Sequence, residues 1–115
     1  MGNGDIGGMV WNHDNGIELQ INKNDLWTKA QPEEYGMSLL KHAARLKIDF
    51  GAPVFSWMHL EEFEGRLSLA NAENTYRAVT GYSATTIRTW LAQDRNVWIV
   101  ECEIYLILKC WEIIR

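Results

Sequence analysis

The sequence predicts a mainly β chain folded as an antiparallel β-sandwich. Short apolar runs recur at near-regular spacing, with turn residues between them. Two of these runs flank Asn15-Gly16, the strongest short hairpin signal. The composition, 47% hydrophobic and 23% charged, is that of a globular chain, and 115 residues suffice for one domain with one core. Six tryptophans are present, and such residues either fill a sandwich core or offer flat faces to sugars and bases.

Met9-Val10-Trp11 reads as the first strand. Asn12 to Gly16 turns the chain, with positive φ expected at Asn15-Gly16. Ile17, Leu19 and Ile21 alternate with Glu18, Gln20 and Asn22, the pattern of a half-buried strand. Lys23 to Gly36 reads as a loop, since it holds Asn24, Asp25, Pro32 and Gly36. Met37 to Phe50 carries both a helical spacing and a strand alternation, and a strand over Ala44 to Phe50 is favoured. Gly51-Ala52-Pro53 breaks it, and Val54 to Leu60 is a candidate short strand.

Gly65 to Leu69 reads as a strand, Asn71 to Asn74 as a turn and Thr75 to Gly81 as a strand. Ser83 to Leu91 places Ile87 and Leu91 on one face and Arg88 and Trp90 on the other. Asp94 to Asn96 turns the chain into a last strand, Val97 to Glu103. Ile104 to Leu108 extends the run as an apolar tail, expected to self-associate through residues 104–114 by strand pairing or face packing, or else to fold back into the core.

Gly2, Gly4 and Gly7 spell the G-x-G-x-x-G of a dinucleotide loop. That loop needs a strand before it and a helix N-terminus after it. Only Met1 precedes Gly2 and a β-type run follows Gly8, so the glycines read as the entry to a strand. The net charge of −4 argues against a nucleic-acid surface. Cys102 and Cys110 fit no zinc spacing and read as buried or half-buried thiols; no metal or cofactor is expected. The N-terminus lacks a basic region followed by an apolar one, and no apolar run is long enough to span a membrane, so neither a signal peptide nor a membrane partner is expected.

Three stretches resemble, in order, the N-terminal domain of the fucosidase-like glycoside hydrolases of family 95. "GNGDIGGMVW" followed by "IELQINKNDLW" is similar to that family's opening strand and its "L-Q-L-N-x-D-T-L-W" segment. Leu67 to Ala72 is similar to its "L-D-L-x-x-A" strand. Thr85 to Trp90 and Asp94 to Val100 resemble the strands that come next. The resemblance covers most of residues 2–103 and implies part of a larger sandwich, a partial supersandwich, with 104–115 departing as a divergent tail. It also implies that catalysis belongs to a helical barrel outside this sequence. The expectation is therefore a non-catalytic sandwich fragment that braces such a barrel. The alternative is a stand-alone carbohydrate-binding or oligomerising β module.

Asn24, Asp25 and Trp27 form the candidate substrate-binding cluster, with carbohydrate as the expected ligand. An amide and a carboxylate can bond sugar hydroxyls, and an indole can cover the C–H face. The competing reading has Asp25 capping a turn and Trp27 in the core. His59, Glu61, Glu62 and Glu64 lie too close together to face one another across a sugar, and read as a solvated loop. No catalytic residue is assigned.

Overall fold

A computed structural model describes residues 1–27 and 40–107. The architecture is mainly β, in two antiparallel sheets with no helix among the described residues. β1 (Ile6–His13), β2 (Gly16–Trp27) and β3 (Leu40–Asp49) form a three-stranded sheet in the order β1-β2-β3. β4 (Leu60–Ser68), β5 (Glu73–Thr80), β6 (Ser83–Leu91) and β7 (Trp98–Leu106) form a four-stranded sheet in the order β4-β5-β6-β7. Every strand pairs with its neighbour in sequence, so short turns are enough within each sheet.

The alternation in the sequence becomes the two faces of each sheet. Ile17 and Leu19 from β2 meet Ala78 of β5 and Ile87 of β6 between the layers, with Val54 and Phe55 of the connecting segment closing the same core. Val10, Ile48, Tyr76, Trp98 and Val100 pack around them. In β6 the buried positions are Ser83, Thr85, Ile87, Thr89 and Leu91, while Arg88 is exposed and Trp90 half-buried on the outer face, as the alternation requires. Three of those five inward side chains carry hydroxyls. Thr89 Oγ1 accepts from the Trp98 indole N–H at 2.5 Å and donates to Ile99 O at 3.0 Å.

Several expected boundaries move. β1 runs from Ile6, so Gly7 and Gly8 lie inside the strand. β2 continues to Trp27, so Lys23 to Trp27 is strand and not loop; Lys23 pairs with Ile6, and Asn24 N–H donates to Asp5 O at 3.0 Å. The expected loop's remainder, residues 28–36, lies outside the described residues, as do 37–39 of the ambiguous segment. From Leu40 that segment is strand. Val54 to His59 forms no strand: Ser56 O accepts from both His59 N–H at 2.9 Å and Leu60 N–H at 3.1 Å, and these turns carry the chain from one sheet to the other. β4 starts earlier than expected, at Leu60, and its turn into β5 falls at Leu69 to Ala72, where Ala72 takes φ 51°. β7 runs through Leu106, across the expected change at Glu103.

The β1–β2 hairpin forms, with His13 paired to Gly16, but not by the expected turn chemistry. Positive φ is found at Gly4, Gly51 and Ala72 among the described residues, and neither Asn15 nor Gly16 shares it. Gly16 is required for a different reason. A Cβ there would sit 1.9 Å from Ile48 O on β3, so the residue permits a close backbone approach. Cys102 also departs from expectation: it is exposed, on the edge strand β7. Cys110 lies outside the described residues.

Candidate functional site

The three expected ligand-binding residues lie at the polar end of β2, and the strand is irregular there. Asn22 pairs with His42 and Trp27 with Leu40, so residues 23–26 bulge out of the β2–β3 ladder. The bulge brings Asn24 and Asp25 to the surface and leaves Trp27 53% exposed. Trp27 is thus outside the core. Its indole N–H donates to Asn24 O at 2.8 Å, which fixes the ring beside the other two residues.

Each polar side chain already has a protein partner. Asn24 Nδ2 donates to Gly4 O at 2.9 Å. Lys23 Nζ sits 2.6 Å from Asp25 Oδ2 and 3.3 Å from Asp5 Oδ1, a cation shared by two carboxylates. Asp25 therefore pairs with a lysine on its own strand. The carboxylate of Asp25, beside Lys23, raises the lysine's pKa, and burial works against it. The Asn96 amide, and then Lys23, hold the Asp5 carboxyl below the usual aspartate value. A carboxyl held ionised in this way suits binding and not proton donation.

The neighbouring cleft, about 250 Å³, is lined by Gly4 to Gly7 and Asn22 to Asn24. Its rim is the glycine-rich opening of the chain. Asn3 Oδ1 accepts from Asp5 N–H at 3.1 Å and Ile6 N–H at 3.0 Å, an Asx turn. Asn3 Nδ2 reaches Ala92 O at 3.1 Å, and Asn96 donates to Asp5. The Gly-Asn-Gly-Asp segment therefore ties the β6–β7 turn to the end of β2. Asp5, Lys23, Asn3 and Asn96 were not singled out from sequence. The signal was present as Asn-Gly-Asp, a turn-forming triplet whose side chains can bond the backbone nearby.

Glu61, Glu62 and Glu64 are solvated as expected but lie on the strand β4 and not in a loop. Arg77 Nη1 lies 3.4 Å from Glu62 Oε2, and His59 packs edge-on against Tyr82 with ring centroids 6.0 Å apart. Of the remaining tryptophans, Trp57 is 80% exposed on the connecting segment, and Trp90 lies on the outer face with the Arg88 guanidinium 6.0 Å above its ring. No group of three or more His, Cys, Asp or Glu residues able to hold a metal ion occurs among the described residues. Compared with models of protein families, with curated proteins and with solved structures, the chain matches none.

Proposed function

We propose that the chain is a non-catalytic β-sandwich module that works by packing against further protein. In the fucosidase-like glycoside hydrolases it resembles, such a domain braces a helical-barrel catalytic domain. The observation that carries this reading is an apolar margin on the inner faces. Leu46 of β3, Phe63 and Leu67 of β4 occupy inward positions, shared with Ile48, Ala78 and Asn74, yet are 49%, 48% and 55% exposed. An inner face left open to this extent is what a sandwich completed by neighbouring protein presents.

One measurement tests the non-catalytic part of the reading. The purified chain is expected to hydrolyse no aryl fucoside. Turnover that disappears in Glu61→Gln or Glu62→Gln refutes it. A second reading, a carbohydrate-binding module, is favoured by one observation: Trp27 presents a half-exposed ring held in place by its bond to Asn24, beside Asp25.

A further inference from the structure

The two sheets have four edge strands among the described residues, and three are protected. β1 is covered at its start, where Gly2 bridges Gly7 and Gly8 N–H donates to Met1 O at 2.9 Å. β3 carries Lys41, Arg45 and Lys47, and β4 carries Glu61, Glu62, Glu64 and Arg66. Charges of this kind deter strand addition. β7 has Glu101 and Glu103, but the four residues that follow are Ile104, Tyr105, Leu106 and Ile107, all of them exposed apolar or aromatic, with Leu106 at 75%.

The bonding pattern shows which backbone groups face outward from this edge. Ile107 N–H donates to Tyr82 O at 2.8 Å, and Ala92 N–H to Val97 O at 3.0 Å. The odd-numbered residues of β7 therefore bond β6. Those of even number, Cys102, Ile104 and Leu106 among them, turn their N–H and C=O groups to the open side. Their side chains lie on the inner face, level with Val100 of the core. In an antiparallel ladder these even-numbered residues must oppose groups that also face outward, with side chains on the same face.

β3 meets that condition poorly. Phe50 N–H donates to Asn15 O at 2.9 Å, so the outward backbone groups of β3 belong to odd-numbered residues, whose side chains include Arg45 and Lys47 on the outer face. An antiparallel β3–β7 pairing would lay those charges beside Ile104 and Leu106. A second β7 meets the condition fully. Registers centred on Glu101, Cys102 or Glu103 set acid against acid across the pair, which is unfavourable. Centred on Ile104, the pairing sets Glu103 against Tyr105, Glu101 against Ile107 and Cys102 against Leu106. It joins the two inner faces and draws all four exposed residues into the ladder.

We propose that the chain forms a two-fold dimer by antiparallel β7–β7 addition centred on Ile104, giving one continuous sheet of both copies' β4 to β7. About six new main-chain hydrogen bonds result, two for each bonding pair. The interface is independent of the bracing role proposed above, and uses a different edge from the margin at Leu46, Phe63 and Leu67.

The test combines light scattering with cross-linking on the full chain. The intact chain is expected to be a dimer at micromolar concentration, and Ile104→Lys a monomer with an unchanged far-ultraviolet CD spectrum. In a Cys102→Ser, Cys110→Ser background, Ile104→Cys should give a covalent dimer with diamide. The two Cα atoms would sit about 5.5 Å apart, within the span of a disulfide. Glu101→Cys in the same background should give none, because its two copies would lie about 20 Å apart along the ladder. A monomeric intact chain, a dimer that persists in folded Ile104→Lys, or equal cross-linking at 101 and 104 overturns the proposal. Should Ile104→Lys fail to fold, the cross-linking pair decides alone.

Discussion

Gly16 gives the sharpest test of how the hairpin is built. A Cβ at this position would lie 1.9 Å from Ile48 O, 3.0 Å from Ile48 C and 3.3 Å from Asp49 Cα. All of these are backbone atoms, so no side chain can swing aside. β2 and β3 would have to separate by more than an ångström where Gly16 pairs with Asp49. The bond from Phe50 N–H to Asn15 O, 2.9 Å long, lies at the same place. Forced overpacking costs about 1–3 kcal/mol, and a lost backbone hydrogen bond adds about 1. Gly16→Ala should therefore destabilise by about 2–4 kcal/mol, a fall in Tm on the order of 10 °C for a domain of this size. Thermal unfolding followed by CD measures it. Gly16→Asn separates the mechanisms, since asparagine tolerates positive φ but still carries a Cβ. A Gly16→Asn variant as stable as the parent would refute the close-approach reasoning. Gly4 is the control: its φ is 97° and a Cβ would meet nothing within 4 Å, so Gly4→Ala should cost only the strain, about 1–2 kcal/mol.

Two threonines of β6 should respond with opposite signs to the same substitution. Thr89→Val leaves the Trp98 indole N–H without its acceptor and should cost about 1–3 kcal/mol in urea unfolding, whereas Thr85, whose buried hydroxyl has no partner among the described residues, should gain about 1 kcal/mol as valine. Equal effects would mean that neither hydroxyl is placed as described. The Asp5 carboxyl, lowered first by Asn96 and then by Lys23, contributes stability that is present above the ordinary aspartate pKa and lost as pH falls through its lower folded value. Asn96→Ala should move the Asp5 titration midpoint upward by NMR, and an unmoved midpoint would remove Asn96 from the network.

Alternation made much of the fold legible. Ile17, Leu19, Ile87 and Leu91 are buried where a period of two puts them, and Arg88 and Trp90 face out. Strand ends were less legible, because residue preferences and tertiary pairing disagree there. Lys23 to Asp25 is composed of turn-favouring residues, yet β1 lies alongside and Asp5 O accepts the Asn24 N–H, so the strand continues. Val54 to His59 shows the reverse. Its residues favour strand, but it must cross between sheets, and Val54 and Phe55 enter the core from a turn. Gly16 meets a close backbone approach and lacks the expected positive φ, since sequence shows a missing side chain without showing what occupies its place.

The candidate site was partly legible for a related reason. Trp27 is bonded to Asn24 beside Asp25, and its indole is exposed where the sequence equally allowed a place in the core. What spacing could not supply was the far side of each bond. Asn24 is held by Gly4, 20 residues away, and Asn3 and Asn96 are joined at a separation of 93. Those partners change the chemistry of the cluster. With Lys23 shared between Asp5 and Asp25, one cation offsets one of two negative charges, and the protein surface there is an aromatic face beside a net-acidic ion-pair network. A ligand engaging it would gain contact with the ring and reach the exposed Asp25 carboxylate, whose charge Lys23 already partly offsets. Burial against the Trp27 face is therefore the larger favourable contribution open to a ligand at this site, and a bracing protein surface supplies apolar burial over a wider area than a single sugar ring does.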